Sequence, residues 1–276
     1  MGRPQGQCRA ARHLCEQRSP EDGVFGCGAL RVKEPTQPHD YRALLQSVPG
    51  LTVVGGQAVN LWAIVYCDPE KDNLPRFGSY DLDVIARGNV TAAIKNLPNW
   101  DYQKTPLWKF GDVRSGALFS TADDGRPLAV EILTSVKGLD KEDLAATRVI
   151  EKDGVRFQVL DPIAMLKSKT VNLRELKQDG DPPRHDREHL QIVAICFPRF
   201  IQDAHDQAKS AVELHDEFSA VVSRAFRTLS ERRTAATLRQ NDIKPSRLMP
   251  DLHDSPIEKV RNAYLHQLPR LRNLDE

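Results

Sequence analysis

Residues 53–63, VVGGQAVNLWA, and residues 77–86, FGSYDLDVIA, decide how this chain folds. The first reads as the end of a buried strand that breaks at Gly55-Gly56 into an apolar helix. The second reads as a strand carrying Asp81 and Asp83 among apolar residues. Side chains two apart on a strand point to the same face. The two aspartates therefore project together, while Leu82 and Val84 face the core. Neighbouring carboxylates repel, and each resists losing water. A divalent cation offsets both costs, and Mg²⁺ takes oxygen ligands from one or two carboxylates plus substrate phosphates.

An Asp-x-Asp pair alone is ordinary on a solvated strand. A third acid changes the reading. Glu131 sits in LAVEILTS (128–135), a strand-like apolar run where an acid is unusual unless paired or functional. If the two strands are neighbours, three carboxylates converge. That is enough for a two-metal clamp with ions about 3.5–4 Å apart. The glycines add a second element. A Gly-Gly turn lets a ligand approach the backbone, and the following helix N-terminus offers free N–H groups to phosphate. Ser79 has a hydroxyl that suits the same phosphate or a strand start.

Around these stretches the chain organises readily. Residues 1–36 are rich in Gly, Pro and Arg without periodicity and read as a tail. A helix over 39–48, a strand at 51–54, a helix from 57 to 66, a loop over 67–78 and a strand at 79–86 follow. A helix over 89–100 comes next, then strands at 107–111, 116–122, 127–135 and 154–160. DDGRP (123–127) predicts a hairpin between two of them. From Asp161 the pattern is helical only, over 161–177, 182–197 and 202–233. The expectation is an α+β domain over 37–160, a mixed sheet flanked by helices, and a helical C-terminal domain over 161–276.

Bulk properties bound the function. The 276 residues are 40% hydrophobic and 28% charged, enough to bury a core. A net charge of +1 gives no global field toward nucleic acid or a membrane surface. No apolar run approaches bilayer-spanning length, and residues 1–23 lack the apolar centre of a secretory signal. The five cysteines are odd in number and scattered. Cys67 and Cys196 read as buried thiols, and Cys8, Cys15 and Cys27 as free thiols in the tail. A reducing cytoplasm suits that usage.

The run VVGGQAVNLWA, RFGSYDLDVIA and LAVEIL resembles the nucleotidyltransferase fold of the polymerase-beta superfamily. Arg76, Ser79, Asp81 and Asp83 together look like the minimal and AbiEii-type nucleotidyltransferases. The helices DPIAMLKSKTVNL (161–173) and RHDREHLQIV (184–193) look like those that follow in these proteins. The resemblance runs from about Leu51 to Ala194. It implies a triphosphate held by Gly55, Gly56 and Ser79, and Mg²⁺ or Mn²⁺ held by Asp81, Asp83 and Glu131. It also implies a phosphate-facing Lys167 or Lys169. Two residues apart on a helix, the lysines do not share a face, and Lys169 is favoured. The implied activity moves a nucleotidyl group from an NTP to RNA, a protein or a small molecule, with a toxin role and an antitoxin partner as a further implication. His189 stands where such proteins often carry another aspartate.

Three other readings compete. The same scaffold can bind a nucleotide or a partner without turnover. His185, Glu188 and His189 match an inverted zincin order on a helix, although His185 falls in an exposed first turn. His-Asp pairs at residues 39, 185, 205, 215 and 253 suit a metal-dependent hydrolase, against the ordinary reading of solvated helix faces.

Overall fold

β1 (Leu51–Val54) is buried at all four positions, as an unbroken apolar run in a central strand should be. It lies in a seven-stranded mixed sheet of order β3-β4-β5-β2-β1-β7-β6. The computed structural model describes residues 36, 38–48, 50–68, 71, 72, 81–86, 93, 94, 97–105, 113–152, 154–180 and 184–276. The chain divides into two units, Met1–Arg31 and Val32–Glu276, and every described residue belongs to the second. The tail cysteines, Arg76, Ser79, the strand expected at 107–111 and most of the helix expected at 89–100 lie outside the described residues.

The other strands are β2 (Leu82–Ala86), β3 (Asp101–Lys104), β4 (Arg114–Thr121), β5 (Pro127–Leu133), β6 (Thr147–Lys152) and β7 (Val155–Leu160). β1 pairs antiparallel with β2 and parallel with β7. β2 pairs parallel with β5. The hairpin expected at DDGRP joins β4 to β5, closed by the Ala122 N–H on the Arg126 carbonyl at 2.8 Å. Gly125 has φ +86° there, a conformation other residues rarely adopt.

Eight helices are described: α1 (Arg42–Ser47), α2 (Gly55–Tyr66), α3 (Lys141–Ala145), α4 (Pro162–Glu175), α5 (Asp186–Lys209), α6 (His215–Ser230), α7 (Arg232–Gln240) and α8 (Glu258–Arg272). The fold is thus α+β, with a helical C-terminal region. α2 packs on β1, β2, α4 and α5, and its Trp62 indole N–H donates to the Leu160 carbonyl at the end of β7 at 2.7 Å. One cluster of buried apolar side chains runs from Tyr41 through the strands and helices to Leu271. α4 starts at a defined place. Asp161 accepts from the Ala164 N–H at 2.9 Å, with proline in the first helical turn. The other Asp161 oxygen accepts from Arg224 of α6, with both side chains buried.

Two differences from the sequence reading have simple causes. β3 and β6 are the outer strands of the sheet; β3 exposes three polar residues, and β6 exposes Val149 and Glu151 and buries only Ile150, so neither shows the apolar alternation that marks a half-buried strand. The helical run expected over 202–233 is three pieces. α5 continues through Pro198 to Lys209, a 3-10 turn covers Val212–Leu214, and Glu231, with extended backbone, separates α6 from α7.

Candidate metal and phosphate site

Strand pairing brings the acids together. In register, Asp83 of β2 faces Val54 of β1 on one side and Glu131 of β5 on the other. Residues opposite each other on adjacent strands share a face. Alternating burial along β5 puts Leu128, Val130 and Ile132 in the core and leaves Glu131 on the other face. Asp81 stands just before β2. Ligand oxygens of Asp81, Asp83 and Glu131 all lie within 4.8 Å of one another. This is the grouping that the same-face spacing of the aspartates and the odd placement of Glu131 predict.

The glycine turn closes on the same spot. Val54 ends β1 with extended backbone, and Gly55 opens α2 with φ +66°. A Cβ at Gly55 would stand 2.0 Å from Asp83 Oδ2 and 2.9 Å from its Cγ. Glycine is needed here for its backbone conformation and for the carboxylate packed against it. The start of α2, with Gly56 in its first turn, is therefore in contact with the acid cluster.

The electrostatics are those of a site short of positive charge. Burial pushes the Asp83 carboxyl up to about 8, with Asp81 and Glu131 adding to it. Burial, then Glu131, raises Asp81 as well. Lys169 and Arg184 pull Asp83 the other way without cancelling the rise. Glu131 has a second contact. Arg114 of β4 donates to its Oε1 at 3.0 Å, with the two side chains 40% and 28% exposed. One oxygen of the triad thus already carries a cation.

The two lysines part company. Lys167 reaches the cap of α3, 2.5 Å from Asp143 Oδ2 and 3.5 Å from Asp140 Oδ2. Lys169 is buried and donates to Asp186 Oδ1 at 3.1 Å. Asp186 also accepts from Arg184 at 2.7 Å and Asn172 at 3.2 Å. Burial acts to raise the Asp186 carboxyl, but Lys169, Arg184 and Asn172 outweigh it and hold it at about 2. Lys169 is the lysine whose charge bears on Asp83. Asp186, Arg184, Asn172 and Arg114 escape a reading of the sequence alone. The available signal for Asp186 is an acid in the first turn of a helix whose partner helix buries a lysine.

The histidine readings fare differently. His189 is 9% exposed, and burial, then Lys169, lowers its pKa to about 2, so the ring is neutral. His185 stands at the helix start, its ring centroid 6.5 Å from that of His189. Among the described residues, the group of three or more potential ligands close enough to share an ion is the acid triad.

The donor set fits a hard cation. All three ligands are carboxylates, which suit Mg²⁺ or Mn²⁺ and not the softer metals. Oxygens on an octahedral Mg²⁺ at about 2.1 Å are about 3 Å apart when adjacent and about 4.2 Å apart when opposite. Only a small closure of the triad is needed to reach those spacings.

Solved structures similar to the chain include a distant one. It is the crystal structure of an antigenic nucleotidyltransferase-like protein from Paracoccidioides brasiliensis, at 15% identity, over 67% of this chain and 94% of that one, with a TM-score of 0.39. A likeness that slight carries no assignment. No protein-family model matches the chain, and no curated protein matches it. No helix among the described residues is long and apolar enough to cross a membrane.

Proposed function

We propose that the chain transfers a nucleotidyl group from an NTP to an acceptor, using Mg²⁺ or Mn²⁺ at Asp81, Asp83 and Glu131. The observation that carries this is the convergence of three carboxylates against the start of α2, where a phosphate can meet free backbone N–H groups. In that reading Gly55, Gly56 and Ser79 hold the triphosphate. Lys169 and Arg184 lend positive charge from the side, and Lys167 is a secondary candidate. Bound metal would activate the acceptor hydroxyl and stabilise departing pyrophosphate. The protein's own part is positioning. The sheet register fixes Asp83 beside Glu131, and the helix start fixes the phosphates relative to both. A cytoplasmic protein with a toxin role, held in check by an antitoxin, belongs to the same proposal, as do RNA, protein and small molecules as acceptors.

The Arg114–Glu131 contact favours a second reading, nucleotide binding without turnover. One experiment separates the two. Full-length protein is incubated with each α-labelled NTP, with and without Mg²⁺, and with RNA, protein and small hydroxylated acceptors. The transferase reading expects Mg²⁺-dependent label on one class, lost in Asp83→Asn. Mg²⁺-dependent NTP binding with no label on any class leaves the scaffold. No binding at all overturns both.

A further inference from the structure

On the far end of α2 from the acid cluster, two thiols meet. Cys67 directly follows the last residue of α2, and its N–H donates to the Ala63 carbonyl at 2.8 Å. Cys196 lies on α5, fully buried where that helix packs on α2. The two are far apart in sequence, yet their sulfurs are 3.6 Å apart, and both are free thiols. A disulfide needs about 2.05 Å. Closing the pair brings the sulfurs about 1.5 Å nearer.

We propose that Cys67 and Cys196 are a redox pair that closes to an intramolecular disulfide when a hydroperoxide oxidises Cys67. The pair is asymmetric in the way such chemistry requires. Cys67 is half-buried and reachable, whereas Cys196 is not. Either thiol can donate in the S–H···S contact between them; with Cys196 as donor, the bond favours the Cys67 thiolate, and burial helps keep the proton on Cys196. Two charged groups face the pair. Arg199 of α5 donates to the Tyr66 carbonyl and to both Asp72 oxygens. Its charge favours the thiolate, and that of Asp72 opposes it. Arg199 also ties the chain just beyond Cys67 to α5, holding the sulfurs in reach.

The step balances. The Cys67 thiolate attacks one peroxide oxygen, and the O–O bond breaks. The products are a Cys67 sulfenic acid and an alkoxide or hydroxide that takes a proton from water. The Cys196 sulfur then attacks the sulfenic sulfur. The S–S bond forms, the S–O bond breaks, and hydroxide leaves with the Cys196 proton as water. The peroxide accepts the two electrons that the two thiols lose. This proposal does not depend on nucleotidyl transfer. It joins α2 and α5, the two helices that begin at Gly55 and Asp186.

The test uses the full chain, reduced and then treated with a few equivalents of hydrogen peroxide, blocked with N-ethylmaleimide and digested with trypsin without reductant. Cys67 and Cys196 fall in separate tryptic peptides, residues 43–71 and 188–199. The expected result is one cross-linked species of these two peptides, two hydrogens lighter than their sum and released by dithiothreitol. In Cys196→Ser, Cys67 should instead stop at the sulfenic acid and take up dimedone at least several-fold more than in the unsubstituted chain. The proposal is overturned if residues 188–199 stay reduced in the unsubstituted chain while residues 43–71 are oxidised. It is equally overturned if Cys67 links to Cys8, Cys15 or Cys27 instead. Because the peptide map needs no variant, a misfolded substitution does not rescue the idea.

Discussion

Gly55→Ala tests the contact on which the site reading depends. Gly55 has φ +66°, and the new methyl would lie 2.0, 2.9 and 3.0 Å from Asp83 Oδ2, Cγ and Cβ. The backbone conformation alone costs an alanine about 1–2 kcal/mol. Rotating the carboxylate cannot relieve a clash that also involves Cγ and Cβ, so the whole side chain must swing, at about 1–3 kcal/mol. The expected loss is about 2–5 kcal/mol, a large share of an ordinary domain's stability. The two parts separate in a double-mutant cycle. Asp83→Ala removes the two closest contacts. In that background Gly55→Ala should cost only the backbone part, giving a coupling of about 1–3 kcal/mol. The assay is urea unfolding of the four proteins in EDTA, compared at constant slope. Gly55→Asn serves as a control, since asparagine tolerates the backbone but keeps the methylene, so the clash part should remain. Additivity within about 0.5 kcal/mol would refute the packing of Asp83 on Gly55, and with it the claim that the helix start and the acids form one site.

Asp83 sets a pH signature. Its carboxyl is held up to about 8 in the fold, so its contribution is fully present below about pH 4 and is lost as pH rises toward 8. Metal-free protein should therefore weaken relative to Asp83→Asn by roughly 2–5 kcal/mol across that window, and Mg²⁺ should shrink the difference; parallel melting curves at pH 5 and pH 9 would show no such role. Lys169→Met should destabilise by about 3–5 kcal/mol, because Asp186 stays buried with Arg184 and Asn172 as its remaining partners. Lys167→Met should cost less, about 1–3 kcal/mol, because the lysine is partly exposed and the buried Asp143 still accepts from the Asp140 N–H; equal losses in denaturant titrations would contradict this ranking. Arg224→Ala should cost about 3–5 kcal/mol by stranding the buried Asp161 carboxylate, and adding Asp161→Asn should recover part of it; no recovery would mean the pair acts through packing alone.

Local sequence determined what depends on neighbours along the chain. The period of two put Asp81 and Asp83 on one side of a strand, and Gly55-Gly56 marked the change from strand to helix. DDGRP made a hairpin, and Asp161 before a proline began a helix. Apolar density alone told that α2 and β1 are buried. Other features, by contrast, are decided only by the tertiary structure. Glu131 meets Asp83 only because β5 pairs parallel with β2, with two strands between them in the chain, and residue spacing does not encode that crossover. Arg114 reaches Glu131 because β4 lies beside β5. Nothing in a lysine's local sequence tells that Lys169 is buried against Asp186 while Lys167 turns to α3. Cys67 and Cys196 read separately as buried thiols, and only the packing of α2 on α5 puts their sulfurs in contact. β3 and β6 are missed for the complementary reason. An outer strand has one neighbour and buries few of its side chains, so it is recognised by the partner it pairs with, not by its own pattern. Side-chain direction is set by short-range backbone geometry, whereas the identity of a neighbour across a sheet or between helices is set by the path of the whole chain.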